Sequence, residues 1–209
     1  MNVHDITKEL ELKIADYTGA PYCVCVDNES NALFMALTYV GVTGQKVFVP
    51  SHTYPSVPCE VINAGGRVQF YDSPSELTGE YQLRPFPVWD SALTFTADMY
   101  RAGQYQCLSF TGQWKRLKTV KGGAILTDNE SAYKWLKRFR FSGRRECDYF
   151  ADSFDFIGRN FYMPHVLAAI GLMNMSSFYN LDGSKKSFDD LTLPYPDLSK
   201  FKIYTQCLK

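Results

Sequence analysis

The 209-residue sequence lacks the features that mark several classes of protein. No stretch approaches the ~18 apolar residues of a membrane span, and residues 1–20 are too polar and charged for a signal peptide. The formal net charge is zero, with 22 Lys plus Arg against 22 Asp plus Glu. A strongly basic nucleic-acid-binding protein is therefore not indicated. Apolar residues at 45% and charged residues at 21% exclude a wholly disordered chain.

Metal-binding and disulfide patterns are missing as well. The six cysteines are scattered, and only Cys23 and Cys25 lie close together, as near neighbours in a predicted strand. The sequence has no C-x-x-C motif and no Cys and His cluster with zinc spacing. This pattern predicts reduced thiols in a cytoplasmic protein and no metal site. The short length suggests a streamlined genome, so the predicted location is the cytoplasm of a bacterium or of a virus-infected cell.

What the sequence does have is an alternation of short strand-like and helix-like apolar segments. Helices are predicted over residues 5–17, 31–39, 56–64, 129–139 and 161–173, and strands over 21–26, 46–50, 67–71, 87–90 and 124–127. Such alternation predicts an α/β fold with a mostly parallel sheet covered by helices. The polar segment from Ser176 onward is predicted to be an irregular tail.

The residues after the strands can supply a set of complementary chemical groups, because ligands bind at the carboxyl ends of strands in such sheets. A helix beginning near Ser30, together with the Ser109 hydroxyl, can hold a phosphate. The Lys115 amine can form a Schiff base with an aldehyde, and the Asp90 carboxylate can keep a pyridine nitrogen protonated. The ring of Tyr54 can cover a flat cofactor. Together these are the parts of a pyridoxal-phosphate site.

Four separated stretches, in this order, resemble the DegT/DnrJ/EryC1/StrS family of sugar aminotransferases, which belong to the fold-type-I pyridoxal-phosphate class. They are residues 14–72 and the segments VWDSAL, CLSFTGQWKRLKTVKGGAILTDN and GRNFYMPHVLAAIGL. The resemblance implies an aspartate-aminotransferase-like large domain over residues 1–175. Residues 176–209 would then be a short tail, the remnant of a reduced small C-terminal domain.

The resemblance also implies a role for individual residues. It places the phosphate turn on Asn28, Glu29 and Ser30, the ring-stacking aromatic on Tyr54, the pyridine-nitrogen carboxylate on Asp90, a phosphate-binding hydroxyl on Ser109, the Schiff-base lysine on Lys115, and an amide that reaches the neighbouring subunit's site on Asn160.

The sequence departs from the family pattern at several points. Glu29 stands where a small residue is usual, and a carboxylate beside a phosphate is electrostatically unfavourable unless it points away. Leu93 replaces a Gln or His that lies near the cofactor's phenolic oxygen. The loop before Lys115 is one residue longer than usual, so Lys118 and Lys121 are fallback candidates. Residues 73–86 are too few for the family's further strand and helix.

The implied function is the transfer of an amino group, with glutamate as the donor, to a nucleotide-linked keto-sugar in a homodimer with shared active sites. One alternative is a catalytically reduced or inactive member of the family that acts as a binding or regulatory protein. A second is a nucleic-acid-binding module that uses residues 115–121 and 134–145. A third is a dehydratase, which would need a histidine in the place of Lys115.

Overall fold

The computed structural model describes residues 4–205, where helices and strands alternate along the chain as predicted. Its α-helices are α1 (Asp5–Thr18), α2 (Glu29–Val40), α3 (Ser56–Asn63), α4 (Glu130–Phe139) and α5 (His165–Met175). Its strands are β1 (Tyr22–Val26), β2 (Lys46–Pro50), β3 (Arg67–Tyr71), β4 (Glu76–Thr78), β5 (Tyr81–Gln82), β6 (Val88–Asp90), β7 (Tyr105–Ser109), β8 (Gly123–Thr127) and β9 (Thr192–Pro194).

Local capping residues set several of these boundaries. Gly19 ends α1 in the left-handed conformation, with φ at +74°, which glycine adopts without steric cost. The side-chain oxygen of Asn28 accepts a hydrogen bond from the Asn31 N–H at 2.9 Å and so begins α2. Asn129 begins α4 in the same way, by accepting from the Ala132 N–H at 3.0 Å.

The prediction of a helix from residue 161 is wrong at its start, because α5 begins only at His165. Pro164 disfavours the helical conformation of the residue before it and so limits the helix to the residues after the proline. Phe161 instead lies beside β1, where its carbonyl accepts a hydrogen bond from the Asp27 N–H at 3.0 Å. Residues 161–163 thus extend the sheet edge rather than the helix.

Five strands form the central sheet, in the order β1-β8-β7-β6-β5. β1, β7 and β6 run in one direction, and β8 and β5 run against them. The predicted α/β fold is confirmed, although three of the four hydrogen-bonded pairs in this sheet are antiparallel. β8 opposes β7 because the loop between them holds no helix, and a parallel return needs a long crossover. β2 and β3 form a separate parallel pair.

Residues 73–86 connect these two groups of strands. They form β4 and β5 in place of the strand and helix that the family resemblance implies. β5 pairs antiparallel with β6, and the Arg84 carbonyl beyond it accepts a hydrogen bond from the Phe48 N–H of β2 at 2.8 Å. The short segment therefore lies between β6 and β2 and holds them in one layer.

Helices cover both faces of this layer. On one face, Val24 and Val26 of β1 pack into a core with α2, α3 and α4. On the other face, Cys23 and Cys25 pack into a core with α1 and α5. Because alternate residues of a strand point to opposite faces, a strand buried on both sides is continuously apolar. The domain therefore has three layers, and the carboxyl ends of its strands stay free for a site.

The segment after α5 folds back onto the body of the domain. β9 pairs antiparallel with β4, with Leu193 opposite Leu77, and Leu198 is buried. The division into residues 1–175 and 176–209 stays a prediction, but residues 176–205 contribute directly to one wall of the cavity described below.

Within residues 4–205, no helix is long and apolar enough to span a membrane. No group of three or more His, Cys, Asp or Glu in the same range is arranged to bind a metal ion. The five cysteines of this range are free thiols, with Cys23, Cys25 and Cys107 buried; Cys207 lies outside it.

Candidate active site

A cavity of about 710 Å³ opens at the carboxyl ends of β1, β6 and β7. Seven of the eight residues predicted to form the site line it, namely Asn28, Glu29, Ser30, Tyr54, Asp90, Ser109 and Lys115. They come from five separate segments that the strand order brings to one edge of the sheet. The eighth, Asn160, is exposed and does not line this cavity.

Lys115 is half-buried in the cavity wall. Its Nζ donates a hydrogen bond to the Ala92 carbonyl at 2.5 Å. Burial lowers the pKa of the Lys115 amine, and the nearby carboxyls of Glu29 and Asp90 oppose this shift. The amine is thus held in place by a neutral acceptor and is easier to deprotonate than a surface lysine.

The two fallback lysines are placed differently. Lys121 lies at the exposed rim of the cavity, where its Nζ is 3.8 Å from an Asp27 carboxylate oxygen. Lys118 is exposed and does not line the cavity. Of these three lysines, Lys115 is therefore the one that is half-buried in the cavity wall and that the Asp90 charge acts on.

Asp90 is buried at the end of β6, with 5% of its surface exposed. Its Oδ2 accepts a hydrogen bond from the Tyr81 hydroxyl at 2.5 Å, and its Oδ1 accepts from the Ala92 N–H at 3.0 Å. Hydrogen bonds to a carboxylate favour its charged form. These two donors fix the orientation of the Asp90 carboxyl at the border of the cavity.

Tyr81 reaches Asp90 because the two residues are directly paired across β5 and β6. Side chains of a directly paired antiparallel couple lie on the same face of the sheet. The Tyr81 hydroxyl is also 2.5 Å from Oγ1 of Thr53, which comes shortly after β2. Two short hydrogen bonds thereby join β5, the end of β6 and the turn after β2 in the cavity wall.

Glu29, the clearest departure from the family pattern, is buried rather than turned out to solvent. Only 8% of its surface is exposed, and its Oε1 has no hydrogen-bond partner within the described structure. Burial raises the pKa of the Glu29 carboxyl well above its ordinary value; the neighbouring Asp90 carboxylate raises it further, and Lys115 opposes the shift. The carboxyl thus faces the other two charged groups of the cavity.

Hydroxyls and the N-terminus of α2 also border the cavity. Ser30 lies in the first turn of α2, and Ser109 ends β7. Gly123 allows the close approach of α2 to β8, since a Cβ there would lie 2.7 Å from the Glu29 nitrogen. A helix N-terminus with nearby hydroxyls attracts anions such as phosphate.

Aromatic and apolar side chains complete the walls. Tyr54 is 58% exposed at the mouth, and its ring meets that of Tyr195 edge-on, with centroids 6.5 Å apart. Leu93 borders the cavity and is buried, so the wall there is apolar.

Sequence reasoning missed three residues of this site: Tyr81, Thr53 and Tyr195. Tyr81 lies in a segment for which the sequence predicts no strand, and Tyr195 lies in the polar tail. The local sequence around them holds no signal of a role, because both reach the cavity through pairing between distant strands. Thr53 could have been found, since it precedes the predicted Tyr54 in the turn after β2.

The basic run at residues 134–145 is neutralised by acidic partners. The pairs are Lys134 with Glu130, Lys137 with Glu11, Arg138 with Asp155, Arg140 with Glu146, and Arg144 and Arg145 with Asp152. Paired in this way, the run leaves little positive charge for a nucleic-acid backbone.

The fold and the cavity define an α/β domain with a half-buried lysine and a buried carboxylate in a cavity at the carboxyl ends of its strands. A sequence profile of the DegT/DnrJ/EryC1/StrS aminotransferase family matches residues 2–79 and 96–189. The chain belongs to this family.

Solved structures share the fold at low sequence identity. The PLP-form of Spr1654 from Streptococcus pneumoniae, a sugar aminotransferase by its description, superposes with a TM-score of 0.65 and 20% identity, over 82% of this chain and 59% of that one. PseC of Helicobacter pylori, an aminotransferase of pseudoaminic acid biosynthesis, gives a TM-score of 0.67 and 14% identity, over 82% and 57%.

A third similar structure is a GDP-4-keto-6-deoxymannose-3-dehydratase, ColD, with bound GDP-perosamine. It has a TM-score of 0.64 and 18% identity, over 83% of this chain and 61% of that one. The present chain thus spans about 60% of the length of each of these proteins.

Proposed function

We propose that this chain is a pyridoxal-phosphate-dependent aminotransferase that transfers an amino group from glutamate to a nucleotide-linked keto-sugar. The observation that carries the proposal is the convergence of the Lys115 amine and the buried Asp90 carboxylate on one cavity. Membership of the family supports it, since the matching profile is that of aminotransferases.

The residues of the cavity fit pyridoxal phosphate by their donor chemistry. The amine of Lys115 suits the aldehyde, and the anion of Asp90 suits the protonated ring nitrogen. The N-terminal turn of α2, from Asn28 to Ser30, and the Ser109 hydroxyl suit the phosphate. When bound, the cofactor supplies an electron sink for carbanion chemistry at the substrate's α-carbon.

Lys115 is the residue we assign to proton transfer. Burial lowers the pKa of its amine, so a larger fraction of the amine is neutral near pH 7 than for a surface lysine. Its hydrogen bond to the Ala92 carbonyl keeps the amine inside the cavity. Tyr54 lies at the mouth, where its ring can cover a flat ligand and exclude water.

The proposal includes a homodimer with shared active sites, in the cytoplasm. Exposed apolar side chains support an interface on the segment before α5, where Phe150 and Ile157 are each 93% exposed. Asn160 comes just after this segment and lies outside its own chain's cavity, as expected of a residue that acts in the neighbouring subunit's site.

Two alternatives differ from this proposal in specific residues. An inactive binding protein is favoured by Glu29 and Leu93, which depart from the family pattern inside the cavity. A dehydratase of the ColD kind is opposed by Lys115 and by the absence of histidine from the lining residues of the described chain.

Absorption spectroscopy of the purified chain with pyridoxal phosphate tests the proposal. We expect a new band near the edge of the visible range that disappears on addition of glutamate and is absent in Lys115→Ala. Lys118→Ala, which alters an exposed lysine of the same loop, is the matched control and keeps the band. A binding protein without activity would show a band that glutamate leaves unchanged.

A further inference from the structure

We propose that the two buried carboxyls of the cavity carry different charges, Asp90 as the anion and Glu29 as the neutral acid, and that the Tyr81 hydroxyl fixes this division. Tyr81 is thus a positioning residue that acts through Asp90. The charge division is a property of the chain itself, whereas its use in cofactor binding rests on the proposed function.

The supply of hydrogen-bond donors to the two carboxyls is unequal. Asp90 accepts from the Tyr81 hydroxyl at 2.5 Å and from the Ala92 N–H at 3.0 Å, one donor for each oxygen. Glu29 has a buried Oε1 without any partner in the described structure. Donors stabilise a carboxylate, and a buried carboxylate without donors is costly. The proton therefore belongs on Glu29.

The charge balance of the cavity leads to the same division. Of the lysines that line the cavity, Lys115 is the one whose charge acts on Glu29 and Asp90, whereas Lys121 lies at the exposed rim beside Asp27. Two carboxyls therefore face one inner cation, the amine of Lys115. One proton on Glu29 leaves one anion and one cation, so the buried group is neutral overall. Like charges at close range cannot both persist in a buried site, which is how neighbouring carboxyls come to share one proton.

The other titratable groups around Glu29 do not supply a competing cation. They are Cys107 on β7, Glu60 on α3, Tyr81 on β5 and Tyr195 after β9. Burial raises the pKa of the Cys107 thiol and of the Tyr81 phenol, which keeps both neutral. Glu60 is acidic and adds to the repulsion that favours a protonated Glu29.

The division explains how the site tolerates an acidic residue in its phosphate turn. A neutral Glu29 removes the electrostatic conflict with a phosphate that an ionised carboxylate would create. It also offers an O–H donor in a cavity where Leu93 has removed a polar group. Asp90 stays free to act as the anion that the ring nitrogen requires.

Titration of the chain without cofactor, labelled with ¹³C at the Asp and Glu carboxyl carbons, tests the proposal by NMR. The Glu29 signal is assigned by its loss in Glu29→Gln, and the Asp90 signal by its loss in Asp90→Asn. We expect Glu29 to titrate well above the ordinary glutamate value of about 4.3, in a step in which the carboxyl carbon of Asp90 shifts far less than that of Glu29. An ordinary Glu29 midpoint, or an Asp90 signal that moves as far as the Glu29 signal in the same step, would overturn the proposal.

The role of Tyr81 is tested by Tyr81→Phe, which removes one oxygen and keeps the ring. Without the Tyr81 hydroxyl as donor, Asp90 competes with Glu29 for the proton. Both carboxyl signals are then expected to move together in the titration step at higher pH, as in coupled pairs. Tyr100→Phe, whose hydroxyl bonds the Gln104 carbonyl at 3.2 Å, is the matched control and keeps the wild-type pattern. An unchanged pattern in Tyr81→Phe refutes the role.

A second variant guards against misfolding of Tyr81→Phe. Thr53→Val removes the other hydrogen-bond partner of the Tyr81 hydroxyl and leaves the ring in place. We expect the Asp90 signal to move in the Glu29 titration step here too, but less than in Tyr81→Phe. An unchanged Asp90 signal would refute the hydrogen-bond network of Thr53, Tyr81 and Asp90. Because all these readouts use the chain without cofactor, failure of the charge division and failure of the proposed activity are distinguishable.

Discussion

The domain contains two buried clusters of opposite charges that differ in how fully their carboxyls are paired. The first, the ionic cluster, consists of Glu11, Lys137, Arg140 and Glu146, between α1 and the end of α4. The second, the cavity cluster, consists of Glu29, Asp90 and Lys115. Two cations meet two carboxylates in the ionic cluster, and one cation meets two carboxyls in the cavity cluster.

The difference appears in the pKa values of their acids. Arg140 and Lys137 lower the pKa of Glu146 to about 2, against the effect of its burial. The Glu146 Oε1 atom lies 2.7 Å from Nη2 of Arg140 and 2.9 Å from Nζ of Lys137. Burial and Asp90 raise the pKa of Glu29. Complete pairing marks a cluster that supports the fold, and incomplete pairing marks one placed for chemistry.

Removal of the central cation of the ionic cluster is expected to have the largest effect on stability. Arg140 is fully buried, and Arg140→Leu leaves Glu11 and Glu146 with Lys137 and, for Glu146, the more distant and more exposed Lys8. We expect the free energy of unfolding in urea to fall by about 3–5 kcal/mol. Arg145→Leu, at a more exposed pair, is the control and changes it little. Equal losses in both variants would remove the distinction between the clusters.

The ionic cluster is expected to lose stability in acid. Since the pKa of Glu146 is lowered to about 2, its contribution is complete above the ordinary glutamate value and is lost as pH falls toward 2. The loss amounts to about 3 kcal/mol for a shift of this size. Unfolding curves at several pH values should show this loss in the wild type but not in Glu146→Gln.

The cavity cluster is expected to show the opposite sign. Because the pKa of Glu29 is raised, the stability linked to its proton is present at low pH and is lost as pH rises through that value. For one proton, the free energy of unfolding falls by at most about 1.4 kcal/mol per pH unit. Glu29→Gln should lack this slope and should gain stability relative to the wild type at alkaline pH. A parallel decline of both proteins contradicts a neutral Glu29.

The smallest stability effect is expected for the cavity lysine. Lys115→Met leaves the buried Asp90 with its two hydrogen-bond donors, the Tyr81 hydroxyl and the Ala92 N–H, and it removes a cation that burial already disfavours. We expect the free energy of unfolding to change by less than about 1 kcal/mol. Lys137→Met, in the ionic cluster, should cost clearly more in the same urea series. A larger cost at Lys115 than at Lys137 reverses the comparison.

The sequence predicts most of the fold because local signals mark it. Apolar runs and capping residues such as Gly19 and Asn28 place α1, β1 and α2 within a few residues. The apolar pattern alone starts α5 too early, because the pattern continues through residues whose helical conformation Pro164 disfavours. β4 and β9 carry no local signal, since each is a short strand formed only by pairing with a distant partner.

The residues of the candidate site likewise divide into those that local sequence predicts and those that it does not. Residues after predicted strands, such as Asp90 and Ser109, could be found because the strand ends meet at one edge. Tyr81 and Tyr195 could not, because they reach the cavity from segments without a predicted structure. The burial of Glu29 also lay beyond the sequence, which identifies the unusual residue but not the direction of its side chain.

The most direct test of the proposed site is the position at which the cofactor attaches covalently. The chain is incubated with pyridoxal phosphate, reduced with borohydride, digested and analysed by mass spectrometry. We expect a single reduced adduct, on the peptide that contains Lys115. An adduct on Lys121, adducts spread over surface lysines, or no adduct at all would contradict the convergence of Lys115 and Asp90 on one ligand.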